Sequence, residues 1–197
     1  MSKFIHSHNE LHQNNFDMKK QLIATIVGGI LLFMWQFLSW SLLPVHKAEY
    51  GYTPNQDKIM EALNQNLTEE GTYMLPMAPP GSSQEQTQSI MEAGAGKPWA
   101  SVSYHKSMNT EMGMNMFRGL AVDLLAAFLL TWLLLKIPNL NMMTAVQASL
   151  GVGIIGYLTI PYLNSIWFEG DSMGYLVDTL VQWGLMGLWL GWWLLRE

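Results

Sequence analysis

A chain of 197 residues is long enough for one or two domains, and its formal net charge of −5 argues against nucleic-acid binding. The chain contains no cysteine, which excludes disulfides, thiolate metal sites, iron–sulfur clusters and thiol nucleophiles. Hydrophobic residues make up 50% and charged residues 13%, yet the mean hydropathy is only slightly positive. This combination indicates apolar spans interrupted by a substantial polar segment.

Four apolar stretches each have roughly the 17–25 residues that a helix needs to cross the hydrocarbon core of a bilayer. They are apolar on all sides, which is typical of membrane helices rather than of the amphipathic helices in a soluble bundle. Because irregular backbone cannot face lipid, all four are predicted to be helical. The predicted spans are residues 21–43, 118–136, 142–163 and 173–195.

The predicted fold is therefore an all-α membrane protein with four transmembrane helices. A small α+β extracytoplasmic domain, residues 44–117, connects the first two helices. Residues 1–20 form a polar tail that we expect to be mobile or to form a short surface helix from Leu11. The first span reads as an uncleaved signal anchor, because its apolar run is much longer than that of a signal peptide.

Basic residues near the ends of the spans predict the orientation, since they favour the cytoplasmic side. Lys19 and Lys20 precede the first span, Lys136 closes the second and Arg196 ends the fourth, whereas loop 164–172 has no basic residue. This pattern places both termini in the cytoplasm. The expected location is the inner membrane of a bacterial cell, with several passes.

The predicted outer domain contains one helix and two strands. Thr53 and Pro54 favour a helix start, with threonine as the cap and proline at the first helical position. Residues 73–77 and 99–105 alternate in a strand-like way and could pair with each other. The stretch from Ala78 to about Gln88 is rich in Pro, Gly, Ser and Gln, and is predicted to be a loop.

Several short stretches, in their order along the chain, carry a resemblance: FMWQFLSWSLLPVH, DKIMEALNQNL, GTYMLPM, WASVSYH, YLNSIWF and GYLVDTLVQWGLMGLWLGWW. The chain resembles a group of small, uncharacterised bacterial inner-membrane proteins with four spans. These have a W-x-x-x-S-[WH] element at the end of the first span and a G-x-Y-x-x-P element in the outer domain. The resemblance implies a fold and a topology but no activity.

Two aspartates lie within the predicted spans, where an ionisable side chain suggests function by default. Asp123 and Asp178 could face each other in the outer half of the bundle, close to Gln182. In a functional interpretation they form a proton or cation site, in which the two carboxyl groups share a proton. In the alternative, which the sequence favours, their hydrogen bonds only hold the helices together.

Three residues are predicted to lie at the outer membrane interface: His46, Trp40 and Arg118. Pro44 should end the first helix and direct His46 back towards the interface as a polar anchor. His46 would need a carboxylate or another histidine beside it to bind a metal. In the tail, His6, His8 and His12 have ligand-like spacing, but a flexible segment lacks the supporting contacts of a metal site.

The segment SMNTEMGMNMFRG is rich in methionine, whose soft, uncharged thioether suits Cu(I). If the chain is helical from His105, then His105, Met108, Met112 and Met116 lie on one stripe of the helix. Gly113 and the possible caps Asn109 and Thr110 argue against such a helix. Packing of methionine at the interface is the preferred interpretation.

No catalytic sequence signature is present, so we expect a protein that is not an enzyme and has no cofactor. Glycines in the first, third and fourth spans allow close contact with other helices or subunits. The leading hypothesis is an accessory or assembly subunit of a larger membrane complex, whose partners are lipids and other subunits or a second copy. The alternatives are a Cu(I)-handling protein that uses the methionines, and a cation- or proton-coupled transporter that uses Asp123 and Asp178.

Overall fold

The computed structural model describes the backbone of residues 2–196 and the side chains of residues 18–196. The chain forms two compact units. The helical unit consists of Met1–Gly51 together with Glu111–Glu197, and the small unit is Tyr52–Thr110. The elements, in chain order, are α1 (Ser2–Ser41), a 3-10 turn (Pro44–His46), α2 (Gln56–Asn66), β1 (Gly71–Leu75), α3 (Gln84–Gly94), β2 (Ala100–Tyr104), α4 (Met112–Leu134), α5 (Met142–Tyr157), a π-helical segment (Leu158–Tyr162), α6 (Leu163–Phe168) and α7 (Met173–Leu194).

Three helical stretches in the described part of the chain are long and apolar enough to cross a membrane: Met18–Ser41, Met112–Leu134 and Met142–Phe168. They correspond to the first three predicted spans. A further helix, α7, occupies the position of the predicted fourth span. The third stretch is continuous because the π-helical segment, which contains Pro161, joins α5 to α6.

Two helices begin earlier than predicted. The backbone of α1 is helical from Ser2, so the tail continues the first helix and the helix begins before Leu11. No glycine or proline precedes Gly28 to interrupt it. Helix α4 begins at Met112, before the apolar run, because methionine is a good helix former and extends the helix into polar sequence.

In the helical unit, α1 lies between α4 and α7, and α7 lies between α1 and α5, whereas α4 and α5 make only a small contact with each other. Glycines permit two of these close contacts. A Cβ atom at Gly29 would lie 2.9 Å from the Cα of Leu124, and one at Gly187 would lie 2.6 Å from the Cα of Val146. The buried core of the unit is formed by Ala24, Leu32, Ala127, Leu130, Leu134, Ala145, Met186 and Leu190.

The small unit has the predicted pair of strands. β1 and β2 are antiparallel, and Tyr73 lies opposite Val102. The helix α2 begins at Gln56 with Asn55 as its cap, a little after the predicted start. The predicted loop after Ala78 is wrong in its second half, because α3 begins at Gln84. Its capping box, in which Ser83 and Gln86 bond each other's backbone, stabilises a helix start in this polar sequence.

Candidate functional site

A buried polar cluster lies at the end of the helical unit where α1 stops and α7 begins. Pro44 starts a 3-10 turn directly after α1, and this turn directs His46 towards α7. Gly174 in the first turn of α7 provides the space, since a Cβ atom there would lie 2.7 Å from His46 Nδ1. The imidazole is only 8% exposed as a result.

Both ring nitrogens of His46 contact carboxylates. Nε2 lies 2.9 Å from Asp178 Oδ2, and Nδ1 lies 3.1 Å from Glu49 Oε2. The imidazole therefore bridges two carboxylates, one on α7 and one in the loop that follows the 3-10 turn.

The remaining oxygens of both carboxylates also accept hydrogen bonds. Asp178 Oδ1 accepts one from Trp35 Nε1 at 3.0 Å and one from Ser39 Oγ at 2.5 Å. The hydroxyl of Tyr175 donates to Glu49 Oε1. Trp35 and Ser39 are four residues apart on α1, so both side chains point to the same neighbour. We call these residues the His46 cluster: Trp35, Ser39, His46, Glu49, Tyr175 and Asp178.

Aromatic rings enclose the imidazole. Trp40 stacks on His46 with a centroid distance of 3.8 Å and an angle of 9° between the ring planes. The ring of Tyr175 meets the imidazole edge-on at 5.2 Å. Stacked and edge-to-face ring contacts stabilise beyond the area they bury. The cluster therefore joins three segments of the chain around one buried imidazole.

Each carboxylate oxygen and each ring nitrogen in the His46 cluster already has a protein partner. A fully satisfied buried network rigidifies the structure around it. The described residues contain no group of three or more His, Cys, Asp or Glu arranged to hold a metal ion. The geometry is that of a clamp between α1, the 3-10 turn and α7.

Asp123 has a different environment. It is the middle residue of α4 and 4% exposed, so it lies deeper in the helix than the sequence predicted. Gln36 Nε2 donates to its Oδ1 at 2.9 Å, whereas its Oδ2 is buried without a partner among the described residues. Asp123 and Asp178 bind different side chains of α1, which agrees better with the interpretation that the sequence favoured, in which their hydrogen bonds hold helices together.

Gln182, the third predicted polar residue, lines a cavity of ≈ 280 Å³ between α5, the π-helical segment and α7. Asp178 and Thr179 also line this cavity. Asp178 is bonded within the His46 cluster, and the hydroxyl of Thr179 donates to the Tyr175 carbonyl. Gln182 Oε1 is buried without a partner among the described residues. Of these three polar side chains, only Gln182 therefore has a buried oxygen that is left without a partner in the described part of the chain.

The predicted methionine stripe is not formed. Residues 105–111 are not helical, so His105 and Met108 do not continue the face of α4. Met112 and Met116 are one turn apart on α4, where they are 69% and 42% exposed. Arg118 is exposed on the same helix. The side chains of His6, His8 and His12 lie outside the described residues.

Sequence reasoning found His46 and Asp178, together with Trp40 that stacks on the imidazole, but missed three members of the cluster: Trp35, Glu49 and Tyr175. A signal for one of them existed in the W-x-x-x-S-[WH] pattern. Its three fixed positions are Trp35, Ser39 and Trp40, and each contacts Asp178 or His46. The pattern therefore coincides with the surface of α1 that forms the cluster.

The fold and the cluster define a helical membrane protein in which α1 and α7 share several polar contacts. No family model, curated protein or solved structure matches the chain.

Proposed function

We propose that this protein is a four-span inner-membrane protein with both termini in the cytoplasm, and that it is a non-catalytic subunit of a larger membrane complex. Helix α7 supports the fourth span, because its 22 residues extend over about 33 Å, the thickness of a hydrocarbon core. Lys20 and Arg196 lie together at one end of the unit, where the Lys20 ammonium donates to the Arg196 carbonyl. Basic residues at one end favour the cytoplasmic side.

One observation carries the proposed role as a subunit: the exposed amide of Gln147 on α5. Because Gly187 contacts Val146, the neighbouring Gln147 lies near the level of Gly187 along the helix axis. This level is about one helical turn nearer the bilayer centre than Trp192. The side chain is exposed, and none of the hydrogen bonds among the described residues involves it. A primary amide facing hydrocarbon is costly, and such groups commonly bond across a helix interface.

The arrangement of the helices is consistent with a partner on this side. Helix α5 packs against α7 and makes only a small contact with α4, so one side of α5 is not covered by this chain. Next to Gln147 along this side, Gly151 has nothing within 4 Å of a Cβ position. Another helix could therefore approach closely and pair with the amide.

The His46 cluster supports the non-catalytic part of the proposal. Its ionisable groups bond one another, and each carboxylate also accepts a hydrogen bond from a neighbouring hydroxyl group. A transporter that uses Asp123 together with Asp178 receives less support, because Asp178 is held by three donors and the two carboxylates are not paired.

Native mass analysis after gentle detergent extraction tests the proposal. We expect the wild-type chain to leave its host membrane in an assembly heavier than the 22.3 kDa monomer. Gln147→Leu should shift the protein towards the monomer, because it removes the amide and keeps a side chain of similar size. Met143→Leu is the matched control, since Met143 is also exposed on α5 and lacks an amide.

Two results would contradict the proposal. One is a wild-type chain that stays monomeric even after crosslinking in intact membranes. The other is an assembly that stays equally intact in the Gln147→Leu and Met143→Leu variants. This result would show that the amide of Gln147 does not hold the assembly together.

A further inference from the structure

The small unit contains a cavity that was not evident from the sequence. Its volume is ≈ 510 Å³, and it is lined by Met60 and Leu63 of α2 and by residues 103–109, which run from the end of β2 onwards. Met60, His105 and Met108 bring two thioethers and one imidazole to the same cavity. We call it the soft-donor cavity.

These donor types suit one class of metal ion. Thioether sulfur is a soft ligand that selects Cu(I), and imidazole is a common partner for copper. A thioether has no proton to lose when it binds a metal, and an imidazole binds in its neutral form. Because the chain has no cysteine, methionine and histidine are its only soft-to-intermediate ligands.

Hydrogen bonds fix the walls of the cavity relative to each other. Tyr104 is 4% exposed, and its hydroxyl donates to Asn64 Oδ1 of α2 at 2.6 Å. The backbone N–H of Lys106 donates to Glu70 Oε1 at 2.8 Å. The first bond holds Tyr104 to α2, and the second holds Lys106 to the residue before β1, so the chain is fixed on both sides of His105.

The contact between Ser103 and His105 prepares the imidazole for a metal. Ser103 Oγ lies 3.4 Å from His105 Nε2. In the tautomer with a proton on Nε2, the Nε2–H group donates a hydrogen bond to the serine oxygen and Nδ1 carries the lone pair. A hydrogen bond to the second ring nitrogen is the usual way in which a protein orients a histidine ligand.

We propose that the small unit binds Cu(I) through the sulfurs of Met60 and Met108 and through Nδ1 of His105. This ligand set differs from the predicted stripe, because Met60 belongs to it and Met112 and Met116 do not. All of its residues belong to the small unit, and the inference does not depend on the proposed complex.

Competition for Cu(I) with a chromophoric chelator, under anaerobic conditions and with the full chain in detergent micelles, tests this inference. We expect the wild type to withdraw a single Cu(I) per chain from the chelator. His105→Asn and the double variant Met60→Leu/Met108→Leu should each weaken binding by about ten-fold or more. Leucine replaces methionine at nearly constant volume, and circular dichroism will verify that the variants are folded.

The matched control is the double variant Met112→Leu/Met116→Leu, which also removes two exposed methionines. It should bind Cu(I) as tightly as the wild type. The inference is overturned if the wild type takes no Cu(I) beyond a detergent blank, or if Met60→Leu/Met108→Leu binds as the wild type does. Loss of binding in the control alone would instead assign the metal to α4 and overturn the inference as well.

Discussion

Asp178 Oδ2 lies 2.9 Å from Nε2 of His46, although 132 positions separate the two residues in the sequence. The contact joins the start of α7 to the turn that follows α1. Because both side chains are buried and every polar atom in the His46 cluster is bonded, we expect this end of the unit to be its most rigid part.

Replacing Asp178 tests the clamp. Asp178→Asn keeps the shape but removes a buried carboxylate that contacts Trp35, Ser39 and His46, and it places an N–H group opposite one of the existing donors. A buried donor left without an acceptor is costly, so the free energy of unfolding should fall by about 1–3 kcal/mol. Unfolding in SDS, followed by circular dichroism, measures the change. Glu169→Gln, on an exposed loop, should leave it unchanged.

Gly174→Ala tests the space that the cluster requires. The added methyl group would lie 2.7 Å from His46 Nδ1 and 3.0 Å from the Val45 carbonyl oxygen. We expect a loss of about 1–3 kcal/mol, as for other overpacked sites. Gly184→Ala in the same helix is the control, because its nearest neighbour lies 3.9 Å away. That variant should be as stable as the wild type or slightly more stable, and equal effects of both changes would refute the packing argument.

Asp123→Asn should behave unlike Asp178→Asn. The asparagine carbonyl can still accept the hydrogen bond from Gln36, and the oxygen that is lost has no partner among the described residues. We therefore expect the free energy of unfolding to change by less than about 1 kcal/mol. Unfolding of the two variants side by side gives the comparison. A loss as large as that of Asp178→Asn would show that Asp123 has a partner essential for the fold.

The absence of cysteine makes the proposed topology testable with single introduced cysteines. In intact cells a membrane-impermeant maleimide should label Ser89→Cys in the small unit and Gly170→Cys before α7. Ser2→Cys and Glu197→Cys should react only after the membrane is permeabilised. Labelling of Glu197→Cys in intact cells would remove the fourth span from the proposal, and labelling of Ser2→Cys would reverse the orientation.

Hydrophobic runs predicted the helical stretches well because burial in lipid needs apolar sequence and little else. The beginning of α4 and the whole of α3 were missed, because these helical segments contain polar residues and lie outside the apolar runs. For α3, the spacing of Ser83 and Gln86 was a readable signal of a capping box. Local sequence patterns are sufficient for features of this kind.

The His46 cluster was harder to predict because its members come from α1, the turn after it and α7. Asp178 was noted as a buried carboxylate, but only the packing of α1 against α7 brings Trp35 and Ser39 to it. Glu49 looked like an ordinary charge in a polar loop. Its role depends on the direction of the chain after Pro44, which local sequence does not specify.

The central position of α1 has a consequence for biogenesis. The ribosome makes α1 before α4 and α7, and the residues that bond Trp35, Gln36 and Ser39 follow 143, 87 and 139 positions later. During synthesis these three polar side chains of α1 therefore remain without their partners, first until α4 supplies Asp123 and then until α7 supplies Asp178. The order of translation sets the order of assembly, and α7 completes the contacts of α1.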